Sequence, residues 1–557
     1  MILSVQFLLV ISVFSSGDTK RRNIVDPITE ALNSKIKRNN NLNPVEATLN
    51  TLQNIILQKD PPKGENFAEI PGPSITDKVC IVGAGPSGVY SALKLKKLGY
   101  TDVTIFEKSY RVGGKSNNVD VKGEAYPQGS IFVEPSYFDN IVPLAREYDA
   151  GELVAIPPSG IWTTTSSSNG TYLSRGHYYI QTLSEFTNSQ DPIVNVVFLV
   201  KNIIRYIKVH NELFGEYEGD LMPKPDAATL IRVRGTFLDF LKRENLEPMK
   251  VIFKTSHELT GYGFIDEVSA LYGLIWNKPI WMYTYALRVL NVSTEEPYNN
   301  FMFRDGFEKI WSNIVKIENL NIKFNQIVYS IKRKYDKVLL KIQSGSSLEV
   351  VRCGFLIWGG PINPEFLRIA DSTDEEWKMF KGLKPSIFTA SLVNIKQAIK
   401  GHPLDIFLSN LNSDDHINGG LTFKINIEAA LTPNIDQPEV LAEVNQRNVE
   451  TCYTLQLSRE YMQEEHLNNM LRATFVDGFN GTSVDILQQT QWPYFYRWSP
   501  KEIEEGRLWE VYNIQGKRRT WFVGSSVLHE STRAVTEYIN LLFRNMIPHD
   551  KFHSKKK

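Results

Sequence analysis

The chain has 557 residues, too many for one compact core, so two or more domains are expected. Its hydrophobic content of 42% and charged content of 22% are those of an ordinary globular protein. Lys+Arg and Asp+Glu balance at 62 each, so no net field recruits nucleic acid or an anionic membrane, and a nucleic-acid partner is disfavoured.

The first sixteen residues, MILSVQFLLVISVFSS, form an uncharged apolar run too short to span a bilayer. They read as a signal peptide over residues 1–17, which implies a secreted chain without a transmembrane segment; a buried N-terminal strand or helix is the alternative. Residues 18–75 read as an extension, with a dibasic run (Lys20, Arg21, Arg22), an Asn cluster at 39–43 and one helix opened by Asn43 and Pro44. Removal of this segment at the dibasic run is the second reading. Sequons at Asn169, Asn291 and Asn480 permit glycosylation.

From Lys78 the pattern becomes strand, glycine turn, helix, strand. Val79 to Val82 is an apolar run suited to a central parallel strand. Gly83, Gly85, Pro86, Ser87 and Gly88 follow. The first glycine permits the tight turn, the second lets backbone approach a pyrophosphate, and the third lets the helix pack close to the strand. Val89, Ala92, Leu93 and Leu98 supply a helical apolar face ending at Gly99. A second strand, Asp102 to Phe106, ends at Glu107, 24 residues after Gly83 and near the ~20 expected of an acid that bonds a ribose diol. A carboxylate there repels a 2′-phosphate. Gly113-Gly114, just beyond, offer a second close backbone approach, which suits the longer reach of FAD over NAD.

Down the chain, a long helical stretch covers about Pro192 to Leu290, a mixed region with strand signals follows, and Thr520 to Phe543 closes as strand, turn and helix. The expected architecture is α/β. A Rossmann-like FAD-binding domain is assembled from separated segments (76–150, 301–380 and 496–557). An α+β substrate domain of mixed sheet plus helices is inserted between them (151–300 and 381–495).

VCIVGAGPSG, IFEKSYRVGGKS and YPQGSIF resemble the flavin-binding N-terminus of the flavin amine oxidase superfamily. FMFRDGFEKIWSNI, Asn325 to Val328, FLIWGGP and WFVGSS followed by HESTRA continue the resemblance in order. It implies noncovalent FAD held by the glycine turn, Glu107, Lys108, Gly113, Gly114, Lys115, Gly129, Ser130, Ile131, Val328, Gly524, Ser525, Thr532, Arg533 and Ala534. The last helix is expected to aim its N-terminus at the flavin ring.

Three stretches are more similar to polyunsaturated fatty acid double-bond isomerases within that superfamily: Gly261 to Val268, Gln491 to Tyr496, and Pro135-Ser136-Tyr137 opening a helix. This resemblance implies hydride transfer between FAD N5 and an unsaturated, lipid-like substrate. The cofactor carries the chemistry, and the protein positions the reacting carbon. Tyr285 is the expected catalytic-site aromatic, with Tyr262, Trp281, Tyr494 and Tyr496 lining the substrate space; core packing is the competing reading for such a cluster. His177 and His210 stand alone and read as surface or structural.

Two departures qualify the resemblance. The strand expected to carry a carboxylate-binding Arg reads GIWTTT at Gly160 to Thr165, and the nearest base is Arg175. The regions that carry a lysine and an aromatic cage in amine oxidases read IFTASLV and ESTRAV, which places Arg533 near the cage. A side chain there suits stabilising reduced flavin, gripping an acidic substrate, or simple solvation. An amine or amino-acid oxidase and a non-catalytic flavin protein stay open as alternatives. Cys80, Cys353 and Cys452 include no close pair, so neither a zinc site nor a disulfide scaffold is indicated, and no other metal-ligating set stands out. Cys80 reads as a small buried residue, and Cys353 with Cys452 as one pairing open to a secreted chain.

Overall fold

A computed structural model describes residue 61, residues 63–64 and residues 66–554, apart from 122, 157–158, 165–170, 290–300, 397–402, 412–418, 433–436, 445 and 447. The expected signal peptide, the helix after Asn43, and the sequons at Asn169 and Asn291 lie outside the described residues. Asn480 lies within them, exposed.

Val79–Val82 (β1) leaves Val79, Cys80 and Ile81 with no exposed surface, as an apolar run between two helical layers should. Pro86–Lys97 (α1) opens on proline, buries Val89, Ala92 and Leu93, and ends in Lys94, Lys96 and Lys97, which complement the negative end of its dipole. The chain reverses through Gly99 into Val103–Phe106 (β2). Ser159–Trp162 (β3), Tyr172–Ser174 (β4), Arg175–Thr182 (α2), Pro192–Phe214 (α3), Ala270–Trp276 (α4) and Pro279–Val289 (α5) follow. Next come Gly306–Ile317 (α6), Ile322–Lys323 (β5), Ile327–Arg333 (β6), Val338–Ser344 (β7), Ser347–Cys353 (β8) and Phe355–Trp358 (β9). The last part holds Lys384–Lys396 (β10), Leu404–Phe407 (β11), Gly420–Asn426 (β12), Val449–Ser458 (β13), Ser483–Arg497 (β14), Thr520–Phe522 (β15) and Thr532–Arg544 (α7).

Three separated stretches build one parallel sheet in the order β5-β2-β1-β9-β15. The strand order reverses at β1, so the glycine turn after it opens at the crevice where such sheets bind nucleotides. The second sheet runs β14-β10-β13-β12-β11-β3-β4 and is antiparallel except where β11 meets β3. Alternation along β12 sends Phe423 to one face and Lys424 to the other. The Lys424 face is closed by Val393, Phe407, Cys452, Phe475 and Phe479.

The cysteine pairing differs from the sequence reading. Cys80 is bonded to Cys353, and Cys452 is free and buried. The cause is topological: β9 begins two residues after Cys353 and runs beside β1 with Phe355 opposite Val79, which carries Cys353 over Cys80. Cys452 belongs to β13 in the other sheet.

Candidate active site

The dinucleotide cradle is made chiefly of backbone. A Cβ at Gly88 would stand 1.9 Å from the Gly83 carbonyl oxygen, so only glycine lets α1 start this close to β1. A Cβ at Gly85 would meet only the Gly114 Cα, at 3.8 Å, so space above the turn is open to a ligand. The Glu107 carboxylate is 8% exposed and fixed at the end of β2, accepting from the Ala84 amide at 2.7 Å and the Ser109 amide at 2.8 Å. Lys108 beside it is exposed. The Gly113 amide donates to the Ala84 carbonyl (2.9 Å), bringing the second glycine pair onto the first turn. The Gln326 amide donates to the Glu107 carbonyl (2.8 Å), which sets the start of β6, with Val328, beside the ribose acid. An open cradle with a held carboxylate and two converging glycine turns fits the dinucleotide part of FAD.

An inner cavity lies close by, its wall reaching Gly129, which packs on the Lys115 carbonyl just past the second glycine pair. Gly129, Ser130 and Ile131 form one wall and Glu530, Ser531 and Thr532 another. The Ser531 hydroxyl caps α7 by accepting from the Ala534 amide, so the positive end of that helix dipole faces the cavity. Tyr262 and Tyr494, on the remaining wall with Phe388 and Phe423, stack at 5.9 Å with an 18° tilt. Gly261 and Gly263 flank Tyr262 at φ of 83°, and a Cβ on Gly261 would stand 2.5 Å from the Phe388 ring. The Gly-Tyr-Gly motif is therefore a tight turn that seats Tyr262 against the sheet. Lys115 and Glu530 pair at 2.6 Å, and Glu530 also accepts from the Phe495 amide and the Ser525 hydroxyl.

An outer cavity shares Phe132, Leu259 and Thr260 with the inner one. Tyr285 and Trp281 lie in its wall one turn apart on α5, stacked at 5.8 Å. Arg175 and Tyr179 from α2 also line it, Glu134, Thr255, Ser256 and Thr284 add polar groups, and Pro135 and Ile252 add apolar ones. Leu259 and Thr260 leave a π-helical turn over Lys254–Glu258, the sort of irregularity that re-aims side chains at sites.

Apart from the Lys115–Glu530 pair, burial favours the neutral forms of the titratable groups in and behind the inner wall. It raises the Tyr262 and Tyr494 hydroxyls well above the usual range. It lowers the His257 imidazole to about 4 and His529 well below its ordinary value. His529 accepts from the Ser531 amide at 3.2 Å, packs on Tyr262 and stacks on Trp276. Burial also raises Glu258, whose carboxylate oxygen accepts from the Ile265 amide at 3.0 Å. Neutral tyrosines and depressed histidines are poor general bases, and positioning is what they offer around the inner cavity.

The structure brings Tyr262, Tyr494, Trp281 and Tyr285 to two adjoining cavities, but Tyr496 lines neither. Phe495 between the two tyrosines has φ 52°, which breaks the alternation of β14 and turns Tyr496 away. Arg533 also departs from two of its suggested side-chain roles, gripping an acidic substrate and simple solvation. Its guanidinium is buried and paired with Asp220, so it neither faces solvent nor enters the cavity, and only its backbone remains at the α7 start. His177 is exposed, and His210 is buried among Tyr206, Phe214 and Tyr217. Sequence reasoning missed Phe132, Glu134, Leu259, Thr260 and Glu530. Leu259 and Thr260 directly precede the Gly-Tyr-Gly motif, the one signal that pointed toward them.

Residues 86–362 match the family model described as flavin containing amine oxidoreductase. A polyenoic fatty acid isomerase of Ptilota filicina is 21% identical over 492 residues, covering 81% of this chain and 91% of that protein. A CLA-producing fatty acid isomerase from P. acnes superposes with a TM-score of 0.63 at 18% identity, over 85% of this chain and 99% of the other. The cyclohexylamine oxidase of Brevibacterium oxydans IH-35A gives a TM-score of 0.53 at 12% identity, over 87% and 100%. The flavin amine oxidase match thus covers about half of the chain, and the similarity to the isomerase and oxidase relatives spans most of it. The chain is an FAD-dependent oxidoreductase or isomerase, and FAD is its cofactor.

Proposed function

We propose that this enzyme moves a double bond in a long-chain polyunsaturated free acid, and that it does so outside the cytosol. One observation carries the reading: an aromatic inner cavity and an outer cavity bearing Arg175 meet at Phe132, Leu259 and Thr260. An acyl chain extended through both keeps its carboxylate at Arg175 and its unsaturated carbons beside Tyr262 and Tyr494. Bound FAD supplies the hydride acceptor that can also return the hydride to a different carbon. The protein's part is positioning: Phe388, Phe423, Tyr262 and Tyr494 exclude water, and their ring faces favour positive charge developing on the chain. Tyr285 and Trp281 grip the segment nearer the carboxylate. The Ptilota filicina and P. acnes proteins, named as fatty acid isomerases, support the substrate class.

The test compares a polyunsaturated free acid with its methyl ester while conjugated-diene absorbance is followed. The free acid is expected to give dienes at a lower KM than the ester, and an Arg175→Leu variant to remove that difference. No diene from any member of an acid panel contradicts the reading.

The near-parallel Tyr262–Tyr494 pair and the buried acid Glu134 favour a second reading, oxidation of an amine. Peroxide release across an amine panel with no diene formation would select it. Secretion is supported by the apolar N-terminal run and by the Cys80–Cys353 bond, which belongs to an oxidising compartment. Expression in a secretory host is expected to put the chain in the medium, with a glycosidase-induced mobility shift that is smaller in Asn480→Gln.

A further inference from the structure

Asp220 lies between α3 and α4, 1% exposed, and two cations converge on its Oδ1. Arg533 Nη1 reaches it at 2.5 Å from the first turn of α7, and Lys278 Nζ at 2.5 Å from the residue before α5. Arg533 also donates to the Ile275 carbonyl (3.4 Å) and Lys278 to the Gly219 carbonyl. The second Asp220 oxygen has no hydrogen-bond partner among the described residues.

Each partner stands next to a wall of the site. Thr532, before Arg533, and Trp276, after Ile275, line the inner cavity. Trp281 and Tyr285, three and seven residues beyond Lys278 and so on one face of α5, line the outer cavity. One buried carboxylate therefore ties together the helix start facing the flavin ring, the aromatic wall beside it and the helix that grips the substrate.

We propose that Asp220 is a positioning residue that locks α7 to α5 and sets the positive charge felt at the ring end of the flavin site. The three side chains sum to +1, from Arg533⁺, Lys278⁺ and Asp220⁻. Reduced flavin carries negative charge at the ring, so added positive charge behind Thr532 favours reduction and removed positive charge opposes it. Glu537, one turn along α7 and held by Asn140, belongs to the same surroundings but bonds neither cation. Any single change disturbs a buried charge network, so a lower thermal midpoint is expected to accompany it whatever happens at the flavin. The sign of a redox shift separates the two effects. The inference needs FAD at the inner cavity but no particular substrate, so it stands or falls apart from the isomerase reading.

The test is potentiometric titration of the flavin in the purified holoenzyme, with thermal midpoints measured alongside. Asp220→Asn raises the net charge and is expected to shift the reduction equilibrium severalfold toward reduced flavin. Lys278→Met lowers the charge and is expected to shift it severalfold the other way, each tenfold reading as about 30 mV for a two-electron couple. The double variant restores +1 and returns the potential toward the native value, while both single variants lower the thermal midpoint. If Asp220→Asn fails to load FAD, Lys278→Met and the double variant still decide the sign. Shifts of the same sign in the variants that load, or no shift in Lys278→Met, overturn the proposal.

Discussion

The cradle and the substrate chamber hold their ligands by opposite means. The cradle uses main chain, with Gly83, Gly85, Gly88, Gly113 and Gly114 drawn together and one carboxylate, Glu107, held by two amides. The chamber uses side chains from five places: Phe132, Arg175, Leu259 to Tyr262, Tyr285 and Tyr494. Backbone work demands glycine at fixed spacing, so it tolerates little change and leaves a mark in the sequence. Side-chain work needs only the right bulk at the right place, so many residues serve and specificity is adjustable.

That contrast predicts a graded set of effects. Gly88→Val drives carbon into the Gly83 carbonyl and is expected to abolish bound flavin, read as the visible spectrum after reconstitution with FAD; a yellow Gly88→Val protein breaks the account of the cradle. Glu107→Ala removes a charged hydrogen-bonding group worth about 1.5–3 kcal/mol, so FAD affinity measured by titration is expected to fall about ten- to a hundredfold. In the chamber the losses are smaller. Tyr285→Ala is expected to raise KM with the FAD content unchanged, whereas an equal loss of flavin would place Tyr285 in the cradle instead.

Acid provides a different comparison, because the buried histidines belong to the chamber and its helical cover. Burial holds His257 at about 4 and His210 at about 3, both below the ordinary imidazole value. A depressed histidine lets the unfolded chain bind the extra proton. The stability it allows is complete above about 6.5 and is lost as pH falls toward 4 for His257 and toward 3 for His210. At pH 5 each costs about 2 kcal/mol, so the thermal midpoint is expected to drop from pH 7 to pH 5 and to drop less in His210→Phe. The smallest effect belongs to Tyr496→Phe, which lies outside both cavities. Unchanged KM and diene rate are expected there, and a clear loss of either would return Tyr496 to the substrate wall.

Legibility follows the same division. The strand, turn, helix and acid of the cradle are all readable because each has a local cause: an apolar run, a close approach, a proline at N1, a strand end. Tyr262 stands out between glycines, and Tyr285 in the aromatic-rich segment that follows them. Tyr496 came from the resemblance of the Gln491 to Tyr496 stretch, and a motif carries no record of the left-handed Phe495 that places Tyr496 outside both cavities. The Cys80–Cys353 bond arises from which strands pair across more than 270 residues, a long-range fact with no local signature. Arg533 shows the same limit, since its partner Asp220 sits 313 residues away.

The central claim is that the chamber positions an unsaturated chain for a redox-neutral double-bond shift. Anaerobic mixing of the oxidised holoenzyme with a polyunsaturated free acid, followed at the flavin and diene bands together, tests it most directly. The account predicts that conjugated diene accumulates over many turnovers while the flavin finishes oxidised. Flavin that bleaches once and stays reduced, with diene no greater than the enzyme present, would contradict it.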